Sequence, residues 1–426
     1  GGRLGRRFGD LQRHAGAGPA RLYRGPDRPA LEREHHADPP GGRAGGGGDA
    51  GRGFVSFRSQ APSEFNQELR AYEQVAKLQR YRLAEGAEEE FDEDFVLRPC
   101  DLSLLDSPSA AGRERFIRDL GESLEDTGFA ILTGHGVAPA LYAEAHRRTR
   151  EFFECHPLEV KQRYRARRQG SVNQGYFPMR ETTVIHPDLV EGWVFCRRAF
   201  DLGQDPAWDE AGFWPSPGWE AFFRQLVLAH ERLIHPIMRS ILSYLGEAPG
   251  LFDDRLTATN FGFRLNYYPP MTGVSEGTTG RMLGHEDVDL FTILPAAETE
   301  GLQLLHRKTM KWVRVAAPPG AIVLNTGDYM QRITNNRLPS TTHRVSAPRD
   351  PAARARPRTS FPMAIYVWED EILEVLPNQG APLYPPVRAE DFHTRITSKY
   401  YGDSYHATGE EGAVERRVRE ETERRD

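Results

Sequence analysis

Cysteine is scarce: Cys100, Cys155 and Cys196 are the only three in 426 residues. Odd in number and widely spaced, they exclude a disulfide framework and a zinc ribbon, and they read as unpaired thiols of a reducing compartment. No apolar run approaches the roughly 20 residues that a membrane-spanning helix needs. The N-terminus lacks the charged start and apolar core of a secretion signal, so a soluble cytoplasmic protein is expected. Charge of one sign is not in excess either. With 55 Lys and Arg against 61 Asp and Glu, the net charge is −6, which gives no global pull toward nucleic acid or an anionic membrane. What the chain does have is length, enough to bury a substantial core in one large domain or two small ones.

Residues 1–53 are rich in Gly and Arg and poor in aromatic and β-branched residues. Such a segment cannot bury enough apolar surface to offset its ordering, so disorder is expected. Its arginines are scattered with no aromatic platforms between them, which argues against a nucleic-acid tail. The first residue is not Met, and the sequence leaves open whether this segment belongs to the native protein. Residues 54–95 read as a helix followed by a linker. Phe65, Leu69, Tyr72 and Ala76 follow helical spacing over 54–83, and the acidic run at 88–94 reads as solvated, since it lacks the Gly-centred spacing of a calcium loop. The ordered domain is expected to begin near Val96.

In residues 96–250, Phe116, Leu120 and Leu124 form a helical stripe, with Gly128 placed to end it in the left-handed conformation. A strand at 129–132, a turn at Gly134-His135-Gly136 and a second helix from Pro139, burying Leu141, Ala145 and Phe152, follow. The pattern from Trp219 to Leu245 predicts a long scaffold helix that Pro236 should kink or divide. Residues 251–400 carry the remaining motifs, and 401–426 read as a charged tail.

The chemistry concentrates in Gly284-His285-Glu286-Asp287-Val288-Asp289-Leu290-Phe291-Thr292-Ile293-Leu294. Read as one strand, it turns His285 and Asp287 to one face and Glu286 to the other. An imidazole beside a carboxylate supplies two thirds of a non-heme Fe(II) site with open positions. A pair alone is weak, since about two His-x-acid matches arise by chance in this composition, and His36/Asp38 and His186/Asp188 also occur. What singles out His285 is its sequel of short segments punctuated by Gly and Pro: 301–305, 312–315, 319–328, 340–345 and 358–361. Regularly spaced short strands read as an all-β core in which distant segments pair, so His343 can complete the site.

The ordered set Asn266-Tyr267-Tyr268-Pro269-Pro270, His285-x-Asp287, Asn325-x-Gly327-Asp328, His343-Arg344-Val345 and Arg358-x-Ser360 resembles the isopenicillin N synthase-like family of Fe(II)/2-oxoglutarate-dependent oxygenases. The resemblance covers about residues 95–400 and extends upstream through the helix, strand and helix around Gly128. It implies a mainly β fold with flanking helices and a double-stranded β-helix (jelly-roll) core, with Fe(II) held by His285, Asp287 and His343. It also implies that Arg358 and Ser360 hold the far carboxylate of 2-oxoglutarate, with Tyr268 and Asn266 helping to place it.

The implied reaction uses O2 to oxidise an unactivated C–H bond of a small-molecule substrate, releasing succinate and CO2, with hydroxylation the commonest outcome. Residues 173–178, Arg180 and Trp193 resemble the family's substrate-side elements, and hydrophobic residues after Trp368 are expected to line part of the pocket. Two alternatives stay open at this level. Isopenicillin N synthase has the same His-Glu-Asp-Val fragment and no 2-oxoglutarate, so an Arg-x-Ser pair can instead hold a substrate carboxylate. A jelly-roll binding protein without chemistry is the other. Oligomeric state is not legible.

Overall fold

The computed structural model describes residues 89–169, 172–179, 188–200, 213–272 and 281–401. The glycine-rich segment, the helix expected at 54–83, Arg180, His186 and the tail beyond 401 lie outside them. Among the described residues no helix is long and apolar enough to cross a membrane.

Among the described residues a separate ribbon pairs Ile372–Leu373 with Val387–Arg388, and fourteen strands build two sheets. They are β1 (Pro99–Asp101), β2 (Phe129–Thr133), β3 (Arg167–Gln169), β4 (Val172–Phe177), β5 (Glu191–Cys196), β6 (Asn260–Tyr268) and β7 (Met282–His285). There follow β8 (Phe291–Pro295), β9 (Leu302–His306), β10 (Lys311–Arg314), β11 (Ile322–Thr326), β12 (His343–Val345), β13 (Arg358–Ser360) and β14 (Met363–Tyr366). The larger sheet runs β1-β2-β11-β8-β14-β6-β5-β4-β3 with β13 also on β6, and the smaller runs β10-β9-β12-β7. Sequence neighbours such as β7 and β8 lie in different sheets, whereas β12 pairs with both β7 and β9. This is a mainly β, jelly-roll arrangement with flanking helices.

Strand alternation sorts the side chains of the larger sheet between two faces. Phe261, Phe263, Leu265 and Tyr267 of β6 join Phe291 and Ile293 of β8 and Leu324 of β11 in the main core. That core is completed by helices α1 (Ala110–Thr127), α2 (Pro139–Cys155) and α3 (Trp219–Tyr244). Each fully buried Leu, Ile or Phe contributes about 1.5–3 kcal/mol there. On the opposite, inner face, Phe129, Ile131 and Val323 meet Leu304 and Val313 of the smaller sheet. Beyond this apolar seal the inner face turns polar, with Arg264, Asn266 and Tyr268 on β6, Thr292 on β8 and Asn325 on β11. Polar residues on a buried face mark the place where the barrel is not filled for stability alone.

The stripe and cap expected of the first helix hold, and in α2 Ala145 and Phe152 are buried as expected whereas Leu141 is half-buried. Phe116, Leu120 and Leu124 are buried, and Gly128 adopts φ 73° while its N–H donates to the Leu124 carbonyl at 2.8 Å. His135 is a turn residue: its Nδ1 accepts from the Val137 N–H, and its Nε2 lies 2.7 Å from the Gly320 carbonyl oxygen.

Four expectations need correction. The segment 284–294 is not one strand: β7 ends at His285, and residues 286–290 cross from the smaller to the larger sheet. Of the two outcomes expected of Pro236, division does not occur: α3 runs unbroken for 26 residues. The acidic run is docked at two points, while Glu90, Glu93 and Asp94 stay exposed. Phe91 bridges Trp312, and Glu89 accepts both Arg344 terminal nitrogens at 2.9 and 2.6 Å. Finally, Trp193 is fully buried among Phe152, Phe213 and Trp219 in the main core, and Leu373 and Leu376 after Trp368 belong to that core too.

Candidate active site

His285 closes β7 and His343 opens β12, and the two residues are directly paired across the strands. Their ring centroids stand 4.3 Å apart. Asp287 lies two residues past the end of β7, in the crossing between sheets, with Oδ1 at 3.7 Å from His285 Nε2 and 3.9 Å from His343 Nε2. One ligand atom from each of the three residues falls within 4.8 Å of the others. His285 and Asp287 converge because the chain bends there, not because a strand face aligns them.

The surroundings aim these atoms. His343 Nδ1 lies 3.0 Å from the Thr341 carbonyl oxygen, which can only accept, so Nδ1 carries the proton and the Nε2 lone pair faces Asp287. Phe129 packs edge-on against the same ring at 5.4 Å. Asp287 Oδ2 accepts from Asn325 Nδ2 and from Thr292 Oγ1, each at 2.8 Å, which leaves Oδ1 toward the imidazoles. Burial alone would raise this carboxyl, but the two imidazoles and the Asn325 and Thr292 donors outweigh it and hold Asp287 below the usual carboxylate range. Glu286 points away as expected, accepting from Thr342 Oγ1 at 2.7 Å.

Asp289, unremarked in the sequence, matters here. Thr292 Oγ1 is also 2.7 Å from Asp289 Oδ2, yet one hydroxyl has one proton to donate. Burial, reinforced by the Asp287 and Asp328 carboxylates, pushes Asp289 well above the carboxylate range. The Thr292 hydroxyl thus stands between the two carboxyls, within hydrogen-bond distance of both Asp287 Oδ2 and Asp289 Oδ2. Gly327 belongs to the same arrangement: a Cβ there would stand 2.3 Å from Asp289 Oδ1 and 2.8 Å from the Asp287 carbonyl oxygen. The Asn325-x-Gly327 spacing thus reads as one donor and one close approach of backbone to the Asp287 segment.

The second group of expected residues sits on neighbouring strands. Arg358 pairs with Tyr268 and Ser360 with Asn266 across β13 and β6. The Arg358 guanidinium carbon stands 4.9 Å from the Tyr268 ring centroid, and Asn266 Nδ2 donates to Ser360 Oγ at 3.3 Å. Thr359, between them, turns to the other face and meets His146 of α2. Arg358 is buried, its Nη1 has no hydrogen-bond partner among the described residues, and burial lowers its pKa. On the substrate side, Phe177 reaches the inner face 5.7 Å from the Arg264 guanidinium, whereas Tyr176 is committed to Glu191 at 2.6 Å.

The residues present fit an Fe(II) and a 2-keto dicarboxylate. Two imidazole nitrogens and one carboxylate oxygen suit a metal site that keeps positions open. No cysteine joins them, as a closed structural zinc shell would usually require. A buried guanidinium with an unused nitrogen is the group an incoming carboxylate satisfies.

Residues 259–365 match the 2OG-Fe(II) oxygenase superfamily, and residues 99–217 match the N-terminal region described as non-haem dioxygenase in morphine synthesis. A 2OG-Fe(II) oxygenase family protein of Caulobacter crescentus, known by crystal structure, shares 30% identity. The match covers 71% of this chain and 98% of that one, with a TM-score of 0.60. The 2-oxoglutarate-dependent dioxygenase citB of Monascus ruber is 29% identical over 270 residues, 59% of this chain and 80% of that protein. The fold is also that of a full-length Neurospora crassa protein crystallised in complex with alpha-KG and thymine, at TM-score 0.63 and 20% identity over 75% of this chain and all of that one. The chain belongs to the isopenicillin N synthase-like family of Fe(II)/2-oxoglutarate-dependent oxygenases, and it is an enzyme of the 2-oxoglutarate-dependent dioxygenase class.

Proposed function

We propose that His285, Asp287 and His343 hold one Fe(II), that Arg358, Ser360, Tyr268 and Asn266 seat 2-oxoglutarate, and that the enzyme oxidises an unactivated C–H bond of a small molecule. O2 is consumed and succinate and CO2 are released, with hydroxylation as the expected outcome. The convergence of three ligand atoms within 4.8 Å carries this reading. Iron with 2-oxoglutarate and O2 supplies oxidising power that no side chain has.

The chain's own contribution is orientation and exclusion of water. Thr341 fixes the tautomer of His343, while Asn325 and Thr292 hold Oδ2 of Asp287 and leave Oδ1 toward the two imidazoles, where these residues would hold the metal. Phe129, Ile131 and Leu304 pack as a buried apolar cluster between the two sheets and keep water from that part of the interior. Arg264 Nε and Nη2 are buried without partners among the described residues, and they suit a substrate that presents an acceptor or acid group to the inner face. The thymine bound to the Neurospora crassa fold relative supports a small molecule as substrate. Three unpaired cysteines, one of them exposed, support a cytoplasmic location.

The test is aerobic turnover of purified enzyme with Fe(II), 2-oxoglutarate and a metabolite panel, quantifying succinate and product together. One succinate per oxidised product is expected. Product formed without succinate assigns the enzyme to the oxidase chemistry of isopenicillin N synthase instead.

A further inference from the structure

A second guanidinium stands beside the proposed seat of 2-oxoglutarate. Arg281, one residue before β7, is completely buried. Its Nη2 donates to the Arg356 carbonyl at 3.2 Å, while Nε and Nη1 have no hydrogen-bond partner among the described residues. Two observations locate it. Arg356, whose carbonyl it meets, is two residues before Arg358, and the Arg281 guanidinium lies within electrostatic reach of both Arg358 and Tyr268. Arg358 donates from Nε to the Thr299 carbonyl at 3.4 Å and meets Tyr268, while its Nη1 has no hydrogen-bond partner among the described residues. Burial and the repulsion of Arg358 bring Arg281 down to about 10, and a guanidinium keeps its charge in a protein at neutral pH.

Two like charges, both buried and both with unused donors, are costly to keep side by side without an anion between them. A carboxylate has two oxygens and about four lone-pair sites, enough to accept from Arg281, Arg358 and Ser360 together. We infer that Arg281 and Arg358 jointly grip the far carboxylate of 2-oxoglutarate, so that two guanidiniums select a dicarboxylate cosubstrate. This inference rests on the function proposed above. Arg281 acts as a cosubstrate-binding residue at the end of the pocket away from the metal, and it takes no part in holding iron.

The experiment is calorimetric titration of the Mn(II)-loaded full chain under anaerobic conditions with 2-oxoglutarate and with 2-oxobutyrate, which has the same keto-acid head and no far carboxylate. Arg281→Met should weaken 2-oxoglutarate binding by roughly 10- to 100-fold and leave Mn(II) and 2-oxobutyrate affinity unchanged, with Arg281→Lys recovering part of the loss. Thermal unfolding gives a second readout. Without ligand, Arg281→Met should melt no lower than wild type, because it removes a buried unpaired charge; the stabilisation by 2-oxoglutarate should shrink. Wild-type affinity for 2-oxoglutarate in Arg281→Met, alongside a loss in Arg358→Met, overturns the inference and leaves the proposed function standing. An equal loss of both keto acids, or a lower melting temperature without ligand, overturns it in favour of a structural role. If wild type binds no 2-oxoglutarate at all, the proposed function falls with it.

Discussion

Asn325→Leu isolates one bond of the candidate centre at nearly constant volume. Asn325 Nδ2 donates to Asp287 Oδ2 at 2.8 Å, and its loss leaves Thr292 as the side-chain donor recorded on that oxygen. A hydrogen bond to a charged group contributes about 1.5–3 kcal/mol. Partners that orient a metal ligand typically contribute about 10–100-fold in affinity, which at about 1.4 kcal/mol per decade is the same size. Fe(II) affinity should therefore fall by about 10–100-fold. The proton side has a sign as well. Asn325 is one of the groups holding Asp287 below the usual carboxylate range, so its removal raises that carboxyl, protons compete better with metal, and the deficit should grow as pH falls. Anaerobic competition titrations from about pH 7 down to about pH 4, into the range where a carboxyl takes up its proton, read both effects. Unchanged affinity and an unchanged pH profile would refute the reasoning, because a carboxylate that loses its orienting donor without consequence is not acting as the metal's oxygen ligand.

Three further outcomes follow from separate parts of the molecule. Gly327→Ala places a Cβ 2.3 Å from Asp289 Oδ1; differential scanning calorimetry should show a loss of about 1–3 kcal/mol, and metal titration should show weaker binding as the Asp287 segment shifts. His230 is fully buried beside Tyr142, with its pKa lowered to about 3 by burial, so below its unfolded value of about 6.5 the unfolded chain binds a proton that the folded chain does not. Stability should fall by about 1.4 kcal/mol per pH unit from this group as pH drops from about 6.5 toward 3, and denaturant titrations of His230→Gln should show a shallower slope. Glu89→Gln weakens the clasp on Arg344 and should cost about 1–3 kcal/mol of stability with little change in Fe(II) affinity; an unchanged denaturation midpoint would return the acidic run to solvent.

Sequence exposed the motif residues more readily than their packing. His285, Asp287 and His343 stood out because two residues two apart, followed at a distance by a third, form an ordered pattern across short strands. The caps and stripes of α1 were readable for the same local reason. What escaped notice depends on distant partners. The run containing Glu89 looks solvated until Arg344, 255 residues away, receives it. Trp193 resembles a pocket aromatic until Phe152, Phe213 and Trp219 surround it. The break after His285 was hidden because β7 and β8 are both extended and apolar, and only their pairing partners separate them. Arg281 carries no pattern at all in a chain with many arginines, and its meaning comes from burial beside Arg358. Asp289 and Gly327 gain theirs from a 2.7 Å bond and a space too small for a methyl group.

The most direct measurement is anaerobic addition of Fe(II) and then 2-oxoglutarate to the purified chain, followed by visible absorption and metal analysis. One iron per chain is expected, with a metal-to-keto-acid charge-transfer band that needs both additions and is absent in His285→Ala, Asp287→Ala and His343→Ala. Full iron binding and an undiminished band in any of these three variants would contradict the account.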